Sequence, residues 1–246
     1  MKFRIACVIL PAMLVAACGQ GGSGGNGAAS AAPVAAVKPP AGQNWVDMVA
    51  RTAEGGYRMG NPEAPVKLIE YGSRACPYCG KFDAEGVPAL KSNYIASGKV
   101  SYEFRDYPVH GALDIAPILL GNCVDPQVFF PLLDQMMAAQ PQLLANEQAV
   151  SRQAQQMQGR PPAEIATFYA EKLGYLDFVK QRGVTEAKAR ACLNDPAGYT
   201  TLTRNTENAN NKFNVSGTPT FILNGNTLPS TNDWATLEPQ LKAAGA

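Results

Sequence analysis

At 246 residues, 46% hydrophobic and 17% charged, the sequence has an ordinary globular composition, long enough for one sizeable domain or a domain carrying an insertion. Lys and Arg number 21 against 20 Asp and Glu, a net charge of +1. No basic stripe stands out, which argues against nucleic acid as a partner.

Residues 1–17 carry Lys2 and Arg4 and then an apolar run from Ile5 to Ala17. That run is too short to span a bilayer and has the form of an export signal. Its end, Leu14-Val15-Ala16-Ala17-Cys18, resembles a bacterial lipoprotein cleavage box, which would make Cys18 the acylated first residue and a lipid anchor to a membrane. Plain secretory cleavage after Ala17, leaving a free Cys18, is the alternative. Residues 18–43 are rich in Gly, Ala, Ser and Pro, have Lys38 as their only charge, and lack apolar periodicity, so they are expected to be a flexible linker. Setting aside Cys7 with the signal and Cys18 with the lipid leaves Cys76, Cys79, Cys123 and Cys192, an even set in an exported chain.

A short packed lead-in is expected over 44–53, around Trp45, Val46 and Val49. Val66-Lys67-Leu68-Ile69-Glu70-Tyr71, with Pro65 before it and Gly72 after, reads as a buried strand. The pattern turns helical at Cys76 and stays so to about Ala96, with a kink expected at Pro88. From Lys99 to Tyr107 the residues alternate: Val100, Tyr102 and Phe104 point one way, Ser101, Glu103 and Arg105 the other. A second strand and hence a βαβ unit follow.

Residues 111–200 read almost wholly as helices, with apolar stripes at Leu113, Ile115, Ile118 and Leu119, at Phe129, Leu132, Leu133, Met136 and Met137, and at Ile165, Phe168, Tyr169 and Leu173. These stripes are assigned to core packing. Gln148 to Arg160 is expected to be a solvated helix or loop, and another helix ends near Phe213. Thr220 to Leu223 is a strand, Asn224-Gly225 a hairpin turn, and Thr231 to Ala243 a closing helix capped by Thr231 or Asn232.

Cys76-Pro77-Tyr78-Cys79 thus falls at a strand-to-helix junction. Unpaired first-turn amides and the positive end of the helix dipole stabilise a thiolate there, which marks Cys76 as the nucleophile. Cys79, one turn on and on the same face, can attack a mixed disulfide formed at Cys76. Pro77 suits the first helical position, where its missing N–H has no partner to lose. A structural disulfide within the motif would close too short a loop to restrain the unfolded chain much. A zinc site would need a second close pair of ligands, and the other cysteines are scattered while His110 is the lone histidine, so no metal is assigned. His110 itself reads as a helix-start residue, with catalysis as the alternative.

Glu70 to Cys79 resembles the active-site stretch of the DsbA-like branch of the thioredoxin superfamily. Val215 to Gly225 resembles the stretch of that branch that carries its cis-proline, and Arg105-Asp106-Tyr107-Pro108-Val109-His110 the strand end that leads into its helical insertion. The resemblance implies an α/β thioredoxin fold with an inserted all-helical domain, divided here as 44–110, 111–200 (the insertion) and 201–246. It implies a thiol:disulfide oxidoreductase that exchanges disulfides with cysteines of exported proteins, as an oxidase, with reductase or isomerase action on the same dithiol and a non-catalytic binding or chaperone module as alternatives. No cofactor is required. A redox partner of unknown identity would restore the dithiol, and the setting would be the bacterial cell envelope, facing the periplasm.

The same resemblance implies a cis Thr218-Pro219 bond beside the dithiol, with the Thr218 backbone free to pair with an extended substrate segment and Pro77 and Tyr78 also contacting substrate. It implies that Glu70 is the buried acid that moves protons to and from Cys79, against an ordinary solvent-facing strand acid. Asp83 stands where relatives often have an acid, with a solvated helix position as the other reading. Some relatives carry a further disulfide in the insertion, which would pair Cys123 with Cys192, with two buried free thiols or a second redox couple as the alternatives. Tyr78 replaces the histidine of the strongly oxidising members, so the Cys76 thiol is expected between the roughly 3.5 of DsbA and the roughly 7 of thioredoxin.

Overall fold

The computed structural model describes residues 31–246. The export signal expected over residues 1–17, the expected acylation site Cys18 and the linker through residue 30 lie outside the described residues.

Among the described residues six strands form one mixed sheet. They are β1 (Val49–Arg51), β2 (Tyr57–Met59), β3 (Val66–Gly72), β4 (Val100–Asp106), β5 (Thr220–Leu223) and β6 (Asn226–Thr227), and across the sheet they run β1-β2-β4-β3-β5-β6. β3 and β4 are parallel, and every other neighbouring pair is antiparallel. The two parallel strands lie at the centre, and β4 is covered on both faces. Its polar set, Ser101, Glu103 and Arg105, is therefore buried as well. Burial is tolerated because the charges satisfy one another: Arg105 donates from Nε to Glu103 Oε1 at 2.7 Å and from Nη1 to the Tyr71 hydroxyl at 3.1 Å, and the Thr52 hydroxyl donates to Glu103 Oε1 at 2.7 Å.

Between β3 and β4 lie α1 (Pro77–Glu85), a single turn α2 (Val87–Ala89) and a π-helical segment (Leu90–Ile95). The helix breaks at Gly86 rather than bending at Pro88, since Pro88 has no N–H to return to the preceding turn. Between β4 and β5 the chain forms α3 (Ala112–Gly121), α4 (Pro126–Ala138), α5 (Gln140–Leu143), α6 (Glu147–Ala154), α7 (Pro162–Lys172), α8 (Tyr175–Lys180), α9 (Glu186–Leu193) and α10 (Pro196–Phe213). Helix α4 joins the two halves of the molecule. Phe129, Phe130, Leu133 and Met137 pack into the core under the sheet, while Leu132 and Met136 pack into the core of the helical insertion. A disulfide between Cys123, just after α3, and Cys192 in α9 braces the insertion. Its sequence separation of 69 corresponds to roughly 4 kcal/mol in the chain-entropy treatment.

Asn224 and Gly225 both have positive φ, 49° and 84°, and make the tight turn between β5 and β6. The last helix, α11 (Trp234–Ala243), starts one residue later than Asn232 would set it. Asp233 is the cap: its Oδ1 accepts the Thr236 amide at 2.9 Å, and Thr236 answers back, a reciprocal capping box that outcompetes Thr231 and Asn232.

The linker corrects an expectation. Residues 31–43 are not a free spacer, because the Ala31 and Val34 amides donate to the carbonyls of Ala243 and Gly245, both at 2.8 Å, and the Val37 amide donates to Ser97 at 2.9 Å. Trp45 Nε1 donates to the Val37 carbonyl at 2.7 Å, and Val34 packs on the core. Backbone pairing of this kind carries no side-chain signature, so composition alone missed it.

Candidate active site

Strand β3 ends at Gly72, where a Cβ would lie 2.4 Å from the Phe104 ring. The buried loop Ser73-Arg74-Ala75 then leads into α1. Arg74, with no exposed surface, donates from Nε and Nη2 to Asp106 at 2.8 and 3.2 Å, and its guanidinium lies 5.2 Å from the Phe129 ring centroid. From the insertion, Gln140 Nε2 donates to the carbonyls of Arg74 and Cys76 at 3.1 and 3.0 Å. The loop is thus held by the sheet beneath it and by the insertion beside it.

Cys76 caps α1 with extended backbone (φ −87°, ψ 120°), and Pro77 opens the helix. Cys76 Sγ lies 3.2 Å from the Thr218 carbonyl, and the Thr218-Pro219 bond is cis. Hydrogen bonding from Cys79 does most to lower the Cys76 thiol to about 5, against the opposing effect of burial. The Thr218 hydroxyl, buried without a partner of its own, and the amides of Cys79 and Tyr78 lower it further. Cys79 is fully buried and accepts the Ser73 amide at 3.4 Å. Burial first, then its hydrogen bond with Cys76 and the Glu70 and Cys76 charges, push its thiol well above the usual range. Glu70 is also buried and accepts the Tyr102 hydroxyl at 2.5 Å; burial raises its carboxyl to about 8. Two sulfurs one helical turn apart are therefore driven in opposite directions, with a neutral carboxyl within electrostatic reach of the inner one. Such a site can hold a stable thiolate at Cys76, and it can supply a proton to Cys79 when that sulfur is expelled.

Tyr78 is 65% exposed on the rim, whereas Cys76 keeps only 4% of its surface in solvent. Asp83 is not a solvated helix position. It lies half-buried against Asp134, whose Oδ1 is buried and unpartnered and whose Oδ2 sits 2.5 Å from Lys91 Nζ. Burial and the Asp134 charge raise Asp83 to about 7. Cys123 and Cys192 lie in the insertion, bonded to each other and apart from the free dithiol. Among the described residues no three His, Cys, Asp or Glu side chains come together as a metal site would require. Sequence reading missed Arg74, Asp106, Gln140 and the buried Asp114 as supports of the loop. Only Asp114 had a local signal, four residues after His110 at a helix start.

The thioredoxin family model matches residues 52–243. A putative protein-disulfide oxidoreductase of Rickettsia bellii is 25% identical over 167 residues, 68% of this chain and 56% of that protein, so the chain spans about half the length of this curated relative. The crystal structure of a protein-disulfide isomerase from Novosphingobium aromaticivorans superposes with a TM-score of 0.71 at 32% identity, covering 76% of this chain and 95% of that one. That of BdbD from Bacillus subtilis, in its oxidised form, gives 0.59 at 18% identity over 83% and 100%, a likeness of fold. With a family match over most of its length and the sheet, the cis-proline and the inserted helices in this order, the chain belongs to the thioredoxin family.

Proposed function

We propose that this chain is an exported thiol:disulfide oxidoreductase that passes its Cys76–Cys79 disulfide to cysteines of exported proteins. The observation that carries the reading is the free dithiol at the start of α1, with Cys76 Sγ 3.2 Å from the carbonyl of the cis Thr218-Pro219 bond, an environment that draws Cys76 down to about 5 and pushes Cys79 well above its usual value. A substrate thiolate attacks Cys76 Sγ and forms the mixed disulfide, and Cys79 leaves as a thiolate that takes up the Glu70 proton. A second substrate thiolate then attacks the substrate sulfur, its disulfide forms, and Cys76 departs as a stabilised thiolate. The substrate loses two electrons and the dithiol gains them, to be returned to a redox partner in the envelope. A stabilised Cys76 thiolate favours the reduced protein, and so favours the oxidising direction. Pro77, the exposed Tyr78 and the Thr218-Pro219 backbone form the surface that an extended substrate segment would meet.

The isomerase reading rests on one observation, the 32% identity to the Novosphingobium protein-disulfide isomerase. The equilibrium potential against glutathione separates the two. A value near or above about −150 mV supports a disulfide donor, one near −250 mV a reductase or isomerase, and no two-electron couple at all rejects catalysis. Acylation at Cys18, after removal of residues 1–17, would hold the domain at a membrane on its periplasmic side. Metabolic labelling with a fatty acid, lost in Cys18→Ala, tests that part.

A further inference from the structure

A second polar network adjoins the dithiol. Ser73, whose amide holds the Cys79 sulfur, donates its hydroxyl to Asp114 Oδ1 at 2.6 Å and accepts the Ala75 amide at 3.0 Å. Asp114, on α3, is fully buried. Its Oδ2 accepts the His110 amide at 2.7 Å and lies 3.2 Å from His110 Nδ1, while Ser73 Oγ is 3.3 Å from the same nitrogen. Among the described residues His110 is the one basic side chain within ion-pair reach of this carboxylate. The imidazole, 37% exposed, lines a cleft of about 500 Å³ together with Ala75 and Pro77, the neighbours of Cys76 on either side. The ionisable groups that face it are Asp114 from α3, Cys76 from the start of α1 and Glu147 from α6, and Tyr169 of α7 lines the same cleft.

We propose that His110 is a positioning residue for the dithiol: its imidazolium, held by Asp114 and Ser73, is the positive charge that stabilises the Cys76 thiolate and is lost when the ring deprotonates. A carboxylate with no exposed surface and no Lys or Arg beside it must be compensated locally. With the ring protonated, the His110–Asp114 pair is neutral as a unit and its cationic end lies in the cleft beside Cys76. With the ring neutral, that positive charge is gone from the cleft beside Cys76 while Asp114 and Glu147 still face the ring, which disfavours the thiolate. Hydrogen bonding to Asp114 raises the affinity of His110 for its proton against the effect of partial burial, and the Asp114, Cys76 and Glu147 charges add to the rise. The coupling is reciprocal. A Cys76 thiolate strengthens proton binding at His110, and conversion of the dithiol to a disulfide weakens it.

This inference rests on the thiol-exchange reading and is tested on the untagged protein. His110 is the only histidine in the chain, so its ring Cε1–H signal in a proton NMR titration is unambiguous. The reduced protein should titrate about half a unit to one unit higher than the oxidised protein. His110→Asn keeps a donor near the Nδ1 position without the charge, and should raise the Cys76 thiolate midpoint, followed at 240 nm, by a similar amount. That shift should shrink in 1 M salt, because the ring is partly exposed. Equal His110 midpoints in the two redox states would overturn the proposal, as would an unmoved thiolate midpoint in folded His110→Asn. If the variant does not fold, the wild-type comparison decides alone. A wild-type protein with a normal glutathione couple but a redox-independent His110 rejects only this inference, whereas a missing couple rejects the thiol-exchange reading itself.

Discussion

Cys76 and Cys79 have the same side chain and opposite acidities, and the difference is set by what surrounds each sulfur. Cys76 receives donors from a helix start and from Cys79, whereas Cys79 is buried within reach of a carboxyl that burial itself keeps neutral. Glu70, at about 8, still carries its proton at pH 7 and can give it to Cys79 as that sulfur leaves. Glu70→Gln keeps an acceptor for the Tyr102 hydroxyl but cannot transfer a proton. It should slow insulin disulfide exchange at pH 7 by about ten- to a hundredfold. The 240 nm midpoint of Cys76, near 5, should hardly move, because Glu70 is neutral at that pH in the wild type too. An unchanged exchange rate would remove Glu70 from the chemistry. This residue could be read from its place on the strand that feeds the motif. Asp114 and Gln140 could not be read as parts of the site, because the residues they bond lie 41 positions away for Ser73, and 66 and 64 for Arg74 and Cys76.

Among the elements, the helical insertion does more than cover the sheet, since α5 places the Gln140 amide on two carbonyls of the loop that presents Cys76. Gln140→Leu fills a similar volume and leaves both carbonyls without that donor in a site where Gln140 is 5% exposed. Unfolding in urea should show a loss of about 1–3 kcal/mol. Exchange should slow in the same variant, because the loop loses its tie to the insertion. Full stability in the folded variant would show that solvent replaces the bond. Most elements were legible because their signals are local. A mostly apolar run between Pro65 and Gly72 marked β3, alternation marked β4, apolar stripes marked α3, α4 and α7, and Asn224-Gly225 marked the β5–β6 turn. Less legible features depend on distant partners. The polar face of β4 is buried only because Tyr71 and Thr52 complete the Glu103–Arg105 pair, and residues 31–43 dock through backbone groups near the end of α11. The capping box at Asp233 was legible in the spacing Asp233 to Thr236, and was misassigned by one or two residues.

For the whole molecule, redox preference and fold stability are two readings of one set of interactions. Forming the Cys76–Cys79 disulfide removes the thiolate that the fold stabilises, so whatever lowers Cys76 also stabilises the reduced protein relative to the oxidised one. Cys76 is lowered from 9.0 to about 5, and a group depressed in this way contributes stability that is complete above pH 9 and lost as pH falls to 5. At pH 7 its contribution is about 2–3 kcal/mol. Glu70 and Asp83 act in the opposite sense, raised from 4.5 to about 8 and from 3.8 to about 7. The unfolded chain gives up these protons at lower pH than the native chain does, so both carboxyls reduce stability as pH rises from roughly 4 to 8. They are present in both redox states and largely cancel in the difference between them. Urea unfolding of the reduced and oxidised proteins should therefore give a stability gap that favours the reduced form increasingly with pH, by about 1.4 kcal/mol per unit between roughly pH 6 and 8. At pH 5 little should remain apart from a small constant from the short disulfide loop. A gap that stays flat across this range would mean that Cys76 is not a stabilised thiolate, and the argument for an oxidising dithiol would fall with it.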